Sequence, residues 1–112
     1  MTDNLGTALA TAMTGVIDLY FVEAEADKYP YCVYDRIIRE QRTKEGVYAI
    51  SSELTLHVIS DTYSEAKSKA ISVRAAVEGL GSSYFIAFQS MEPLCVEGVW
   101  DFVIDYNIKQ IS

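Results

Sequence analysis

His57 is the only histidine of this 112-residue chain, and Cys32 and Cys95 are its only cysteines. A histidine acting as general base needs a nucleophile on one ring nitrogen and an orienting acid on the other. His57 stands in "LTLHVIS", in step with Thr55 and Glu53. That spacing belongs to the polar face of a strand, and the sequence names no partner for the ring. Cys32 lies between Tyr31 and Tyr34. A nucleophilic thiol needs a helix N-terminus or a nearby cation to lower its pKa. Arg36 shares the parity of Cys32 but gives only weak support, so a packed, reduced thiol is expected. Cys95, in a loop or strand end, makes no better case.

The carboxylates are as ordinary in their placement. Asp101 and Asp105 share the polar parity of one stretch, and Lys109 and solvent suffice to balance them. Glu23, Glu25 and Asp27 cluster in a loop without the spacing of a calcium loop. The glycines form no phosphate-binding loop. The expectation is a chain with no catalytic residue, no cofactor and no metal site, in which nothing argues for an enzyme.

The densest set of reactive types is "KYPYCVYDRI", Lys28 to Ile37. Alternation divides it. Tyr31, Val33, Asp35, Ile37 and Arg39 fall on one face of a strand, and Cys32, Tyr34, Arg36, Ile38 and Glu40 on the other. The groups cannot converge on one substrate. Pro30 suits the start of the strand, where no ladder donor is required.

The elements around this strand follow from periodicity. Leu5, Leu9, Ala12, Met13, Val16 and Ile17 recur at helical spacing, which predicts a helix from about Asn4 to Val16 with Asp3 or Asn4 as cap. "YFV" could form a short strand. "REQRTKEG" reads as the charged tip of a long hairpin. A strand runs from about Val47 to Ser60. Tyr48, Ile50, Leu54, Leu56 and Val58 face the core, with Ser52 as the one polar interruption. "SDTYSEAKSKAISVRAAVEGLG" is a helix capped by Ser60, Asp61 or Thr62, with Glu65 placed for a capping box and Gly79 or Gly81 as the stop. "SSYFIAFQSMEPL" is a strand ended by Pro93. In "VWDFVIDYNIKQI", Trp100, Phe102, Ile104, Tyr106 and Ile108 alternate with polar residues so regularly that a one-residue slip would expose all five. The fold class is α+β. A mostly antiparallel sheet has helices packed on one face, in the order α-(β)-β-β-α-β-β, within one domain spanning 1–112.

Bulk properties narrow the partners. Sixteen acidic residues against nine basic give a net charge of −7. A basic footprint for nucleic acid is absent, and anionic membrane surfaces are disfavoured. No apolar run reaches the roughly 20 residues that span a bilayer. The N-terminus, with Asp3 and no basic leader, reads poorly as a secretory signal. Folding in a cytoplasm is expected. The long alternating strands present edges, which are either protected or used to pair with another chain.

The start "YPYCVYDRI", the helix "SDTYSEAKSKAISVRAAVEGL" after "LTLHVIS", and the closing "VWDFVIDYNIKQ" resemble the small tail-completion proteins of long-tailed bacteriophages and prophages, also called tail terminator or head-tail joining proteins. The likeness in element order extends over nearly the whole chain, and its motifs are structural rather than catalytic. The resemblance implies a homo-oligomeric virion protein, commonly a hexameric ring, at the head-proximal end of the tail. Such rings end tail-tube polymerisation and meet the head connector or head-completion protein. The implied partners are further copies of the chain, the tail-tube protein and the head connector, with DNA passing through the ring unread. The implied location is the virion tail, after assembly in the host bacterial cytoplasm. Exposure and chemistry select Tyr31, Tyr34, Arg39, Arg42 and Lys44 as candidate contacts. The alternative is a small dimeric α+β enzyme or ligand-binding domain, with His57 or Cys32 lining a pocket between sheet and helix.

Overall fold

A computed structural model describes residues 3–21 and 28–111. The acidic cluster Glu23, Glu25 and Asp27, and Val22 of "YFV", lie outside the described residues. The order is α1 (Leu5–Met13), β1 (Asp18–Phe21), β2 (Tyr31–Thr43), β3 (Gly46–Ser60), α2 (Tyr63–Glu78), β4 (Tyr84–Val96) and β5 (Val99–Ile111). The expected α+β class and element order both hold. The five strands form one sheet in the order β1-β2-β3-β5-β4. β1 runs parallel to β2, and every other pairing is antiparallel. β3 and β4 therefore run in the same direction with β5 between them, and α2 connects them over one face as a split βαβ unit. The molecule measures 51 × 23 × 23 Å. Its long axis is about the length of the 15-residue strand β3, given a rise of roughly 3.3 Å per residue.

Both helices lie on the face carrying Cys32, Tyr34, Leu54, Leu56, Val58, Phe102, Ile104, Tyr106 and Ile108, all buried. For β3 and β5 these residues have the parity that the alternation assigns to the core, although Tyr48 of the same β3 parity is exposed; for β2 the alternation separates two faces without saying which is inward. α1 contributes Leu5, Leu9 and Met13, and α2 contributes Ala66, Ala70, Val73 and Val77. The two alanines let the α2 backbone approach the sheet closely. Tyr63 leans over Trp100 and Phe102, with ring centroids 5.0 and 5.5 Å away. The other face of the sheet carries no helix among the described residues.

Three boundaries differ from those the sequence suggests, each for a local reason. α1 stops at Met13 rather than near Val16, because Thr14 is extended and Gly15 takes a left-handed conformation, φ +80°. The β2–β3 hairpin has no long tip. Both strands continue until only Lys44 and Glu45 separate Thr43 from Gly46, and Gly46 supplies the positive φ, +117°, that the reversal needs. β4 does not end at Pro93 but continues to Val96. Pro93 is tolerated because β4 is an edge strand, so its missing N–H need interrupt no inner ladder. Cys95 accordingly lies in a strand and is exposed.

The cap of α2 is as read in one half only. The Glu65 amide donates to Thr62 Oγ1 at 3.3 Å, while the Glu65 carboxylate accepts from Ser60 Oγ at 2.6 Å. Gly79 is the C-cap but has φ −91°, so the helix ends without a left-handed residue there.

Candidate functional site

The residues with chemical potential are held apart by the sheet. Cys32 is fully buried on the helix-covered face, and burial, with the charge of Asp101 adding, pushes its thiol up to about 12. A thiol so rarely ionised is no nucleophile. His57 lies on the open face, where its Nδ1 is 2.9 Å from Asp101 Oδ2. Asp105 accepts from Thr55 Oγ1 at 2.9 Å and from Ser90 Oγ at 3.1 Å. The carboxylates of β5 are thus engaged by side chains of β3 and β4. The His57–Asp101 pair went unseen in the sequence because it depends on strand order. His57 stands opposite Val103, so Asp101 is its diagonal neighbour. No His, Cys, Asp and Glu among the described residues group so as to hold a metal ion.

The five candidate contact residues are distributed unequally. Tyr34 is a core residue, 9% exposed, with its ring 5.1 Å from that of Phe21. It cannot offer a free surface, because β2 turns it under α1. Tyr31 is on the opposite face in an aromatic group, stacked on Tyr29 at 5.8 Å and edge-on to Tyr20 at 6.3 Å. Burial, then the neighbouring Tyr29 and Asp101, raise its phenol above the ordinary value. Arg39 and Arg42 are exposed strand residues, paired with Glu53 at 3.4 Å and Glu40 at 2.6 Å. Lys44 alone of the basic three sits in the turn.

One organising group was missed. Arg36 lies on the core face of β2, with its side chain 7% exposed. It reaches Asp3 Oδ2 at 2.9 Å and donates to Ser52 Oγ at 2.7 Å. Asp3 Oδ1 accepts from the Leu5 amide at 3.1 Å, so the same carboxylate caps α1. The signal was present in the sequence. Arg36 and Ser52 are the polar exceptions on two adjacent core faces, and buried polar groups are placed where they satisfy each other.

The surface that remains is made of edges. β1 covers β2 only from Tyr31 to Tyr34, and no described strand lies beyond Asp35 on that side. β4 is the other edge over its whole length. Large apolar side chains stand exposed beside both, Ile37 at 57% and Ile38 on β2, Phe85 at 62% and Phe88 on β4. Between the two edges the open face forms a shallow groove of about 500 Å³ bordered by Arg39, Glu53, Phe85 and Lys109.

No family model matches the chain, and no curated protein does. Among solved structures, a chain of the virion of a native gene transfer agent particle is similar in fold. It has a TM-score of 0.63 and 16% identity, and the match covers 93% of this chain and 84% of that one. At that identity the likeness establishes the shared fold, an α+β domain with two helices on one face of a five-stranded sheet. No helix of the described residues is long and apolar enough to cross a membrane.

Proposed function

We propose that this chain is a structural virion protein, not an enzyme, that forms a ring at the head-proximal end of a tail, ends tail-tube polymerisation and joins tail to head. The observation that carries the reading is the fold it shares, over 93% of its length, with a gene transfer agent virion chain. The resemblance of "YPYCVYDRI" and "VWDFVIDYNIKQ" to tail-completion proteins points the same way. Two sheet edges on opposite sides of one subunit, without a partner strand among the described residues beyond Asp35 on β2 and along β4, suit heterologous contacts, which close into a ring when the rotation permits. The net charge of −7 suits a ring through which DNA slides without being retained. In this reading the partners are further copies of the chain, the tail-tube protein and the head connector, and the ring assembles in the bacterial cytoplasm before it becomes part of the tail.

A ligand-binding domain fits the geometry less well. Cys32 has no exposed surface, and His57 faces away from both helices, so neither lines a pocket between sheet and helix. The test is genetic. Deleting the chain from the element that encodes it should give tubes of unregulated length and heads without tails. Tails of normal length attached to heads would refute the role.

A further inference from the structure

Both open edges carry devices that discourage pairing, and the devices leave one gap on each. On β2, β1 covers Tyr31–Tyr34 and a bulge falls at Gln41/Arg42. Between them Asp35–Glu40 is regular and has no second partner strand among the described residues. On β4, a bulge falls at Phe88/Ser90 and Pro93 follows. Before them Tyr84–Phe88 is regular, uncovered and without a charged residue. Bulges and prolines are common guards of sheet edges. These two stretches have neither.

The two gaps lie at the same height on the sheet. Following the register across the strands, Arg36 is level with Leu54, Tyr106 and Phe88, and Ile38 with Ser52, Ile108 and Ile86. Glu40 is level with Ile50, Gln110 and Tyr84. The gap Arg36–Glu40 on one side therefore stands level with Phe88–Tyr84 on the other, residue for residue. β2 and β4 also run in opposite directions within the sheet, since two strands lie between them and all three pairings are antiparallel.

We infer that successive subunits join by antiparallel pairing of the Tyr84–Phe88 edge of one copy with the Arg36–Glu40 edge of the next, so that the sheet continues from subunit to subunit. The inference rests on the ring reading and specifies its contact. Side-by-side copies related by rotation about an axis near the strand direction bring β4 against the neighbouring β2 with antiparallel sense and with like faces continuous. In level register Ile38 meets Ile86 on the helix-covered face, and on the open face Ile37 meets Ala87 and Arg39 meets Phe85. Main-chain hydrogen bonds supply the attachment and the alternating side chains the specificity. The guanidinium of Arg39 gains the face of Phe85. β1 occupies the lower part of the same β2 edge. Pro93 of β4, level with Cys32, stands at that lower level, where a neighbouring β4 would otherwise meet β1, and the bulge lies just above it, level with Asp35 and Arg36.

The experiment uses the full chain in a Cys95→Ser background, with Cys32 buried. Ile38→Cys and Ile86→Cys are prepared separately and together, as are Arg39→Cys and Phe85→Cys on the other face. Each is confirmed folded by circular dichroism and oxidised with copper-phenanthroline in air. The expected result is covalent dimers on mixing the two single variants and a ladder of oligomers from each double variant. Ile38→Lys should raise the concentration for half-assembly at least tenfold without unfolding the chain. If the wild-type protein forms rings but neither pair cross-links and Ile38→Lys assembles normally, the edge contact is wrong and the ring reading stands. If no variant and no wild-type protein oligomerises at any concentration, alone or with tube protein, the ring reading fails and the contact with it.

Discussion

Arg36, in the middle of β2, holds Asp3 at the start of α1 at a distance of 2.9 Å. The contact ties the first helix to the sheet through a guanidinium whose side chain is only 7% exposed. Ser52 of β3 is the second partner, so three elements meet at one charge. Removing Arg36 leaves Asp3 without its counter-charge and opens space beneath α1. Breaking a buried ion pair from one side costs about 3–5 kcal/mol, and partial exposure of Asp3 places this case near the low end. Arg36→Ala should cost about 3 kcal/mol in urea unfolding. Asp3→Asn should cost less, because an amide oxygen can still accept from the Leu5 amide.

The two cysteines should differ sharply in reactivity. In native protein a thiol reagent should modify Cys95 quickly and Cys32 only on unfolding, giving one fast equivalent in buffer and two in denaturant. Burial raises the Cys32 thiol from 9.0 to about 12, so the folded state favours the protonated form. That contribution is complete below pH 9 and is lost as pH rises from about 9 to about 12. Stability should fall there by about 1.4 kcal/mol per pH unit from this group. Tyr34 and Tyr106, raised mainly by burial, act in the same sense. Cys32→Ala should start less stable at pH 7 and show a flatter decline above pH 9, as read from unfolding curves across that range.

Thr62 receives the Glu65 amide at the start of α2. Thr62→Ala should destabilise the protein by about 1 kcal/mol. Thr62→Ser should restore most of the loss, as measured by thermal melting.

His57 and Asp101 lie on the open face, each about a third exposed or less. Surface pairs contribute about 0–1 kcal/mol. His57→Gln should therefore leave the melting temperature almost unchanged. A large loss would mean that the open face depends on this pair more than its exposure implies.

Much of the fold is legible in the sequence alone. The five apolar residues of β5 announced a strand with one buried face, and the Thr62–Glu65 spacing marked the start of α2. Sheet order was not legible. Nothing local in "VWDFVIDYNIKQI" says that it inserts between β3 and β4, and the His57–Asp101 pair follows only from that insertion. Pro93 misled because a proline excludes the interior of a ladder but not an outer edge, and which strand is outermost is a property of the whole sheet. The charged stretch Arg39–Thr43 reads as a turn by composition, yet it is the β2 half of the projecting hairpin, exposed on both faces while it stays paired with β3. Tyr34 looked like a surface tyrosine until the parity of β2 was fixed against α1.

The proposed role requires a closed ring of copies. The most direct measurement is native mass spectrometry of the purified chain at rising concentration, alone and with tube protein, with electron microscopy of the same samples. One cyclic species of defined copy number, seen end-on as a ring, is expected. A strict monomer, or a two-fold dimer that grows no further under any of these conditions, would contradict it.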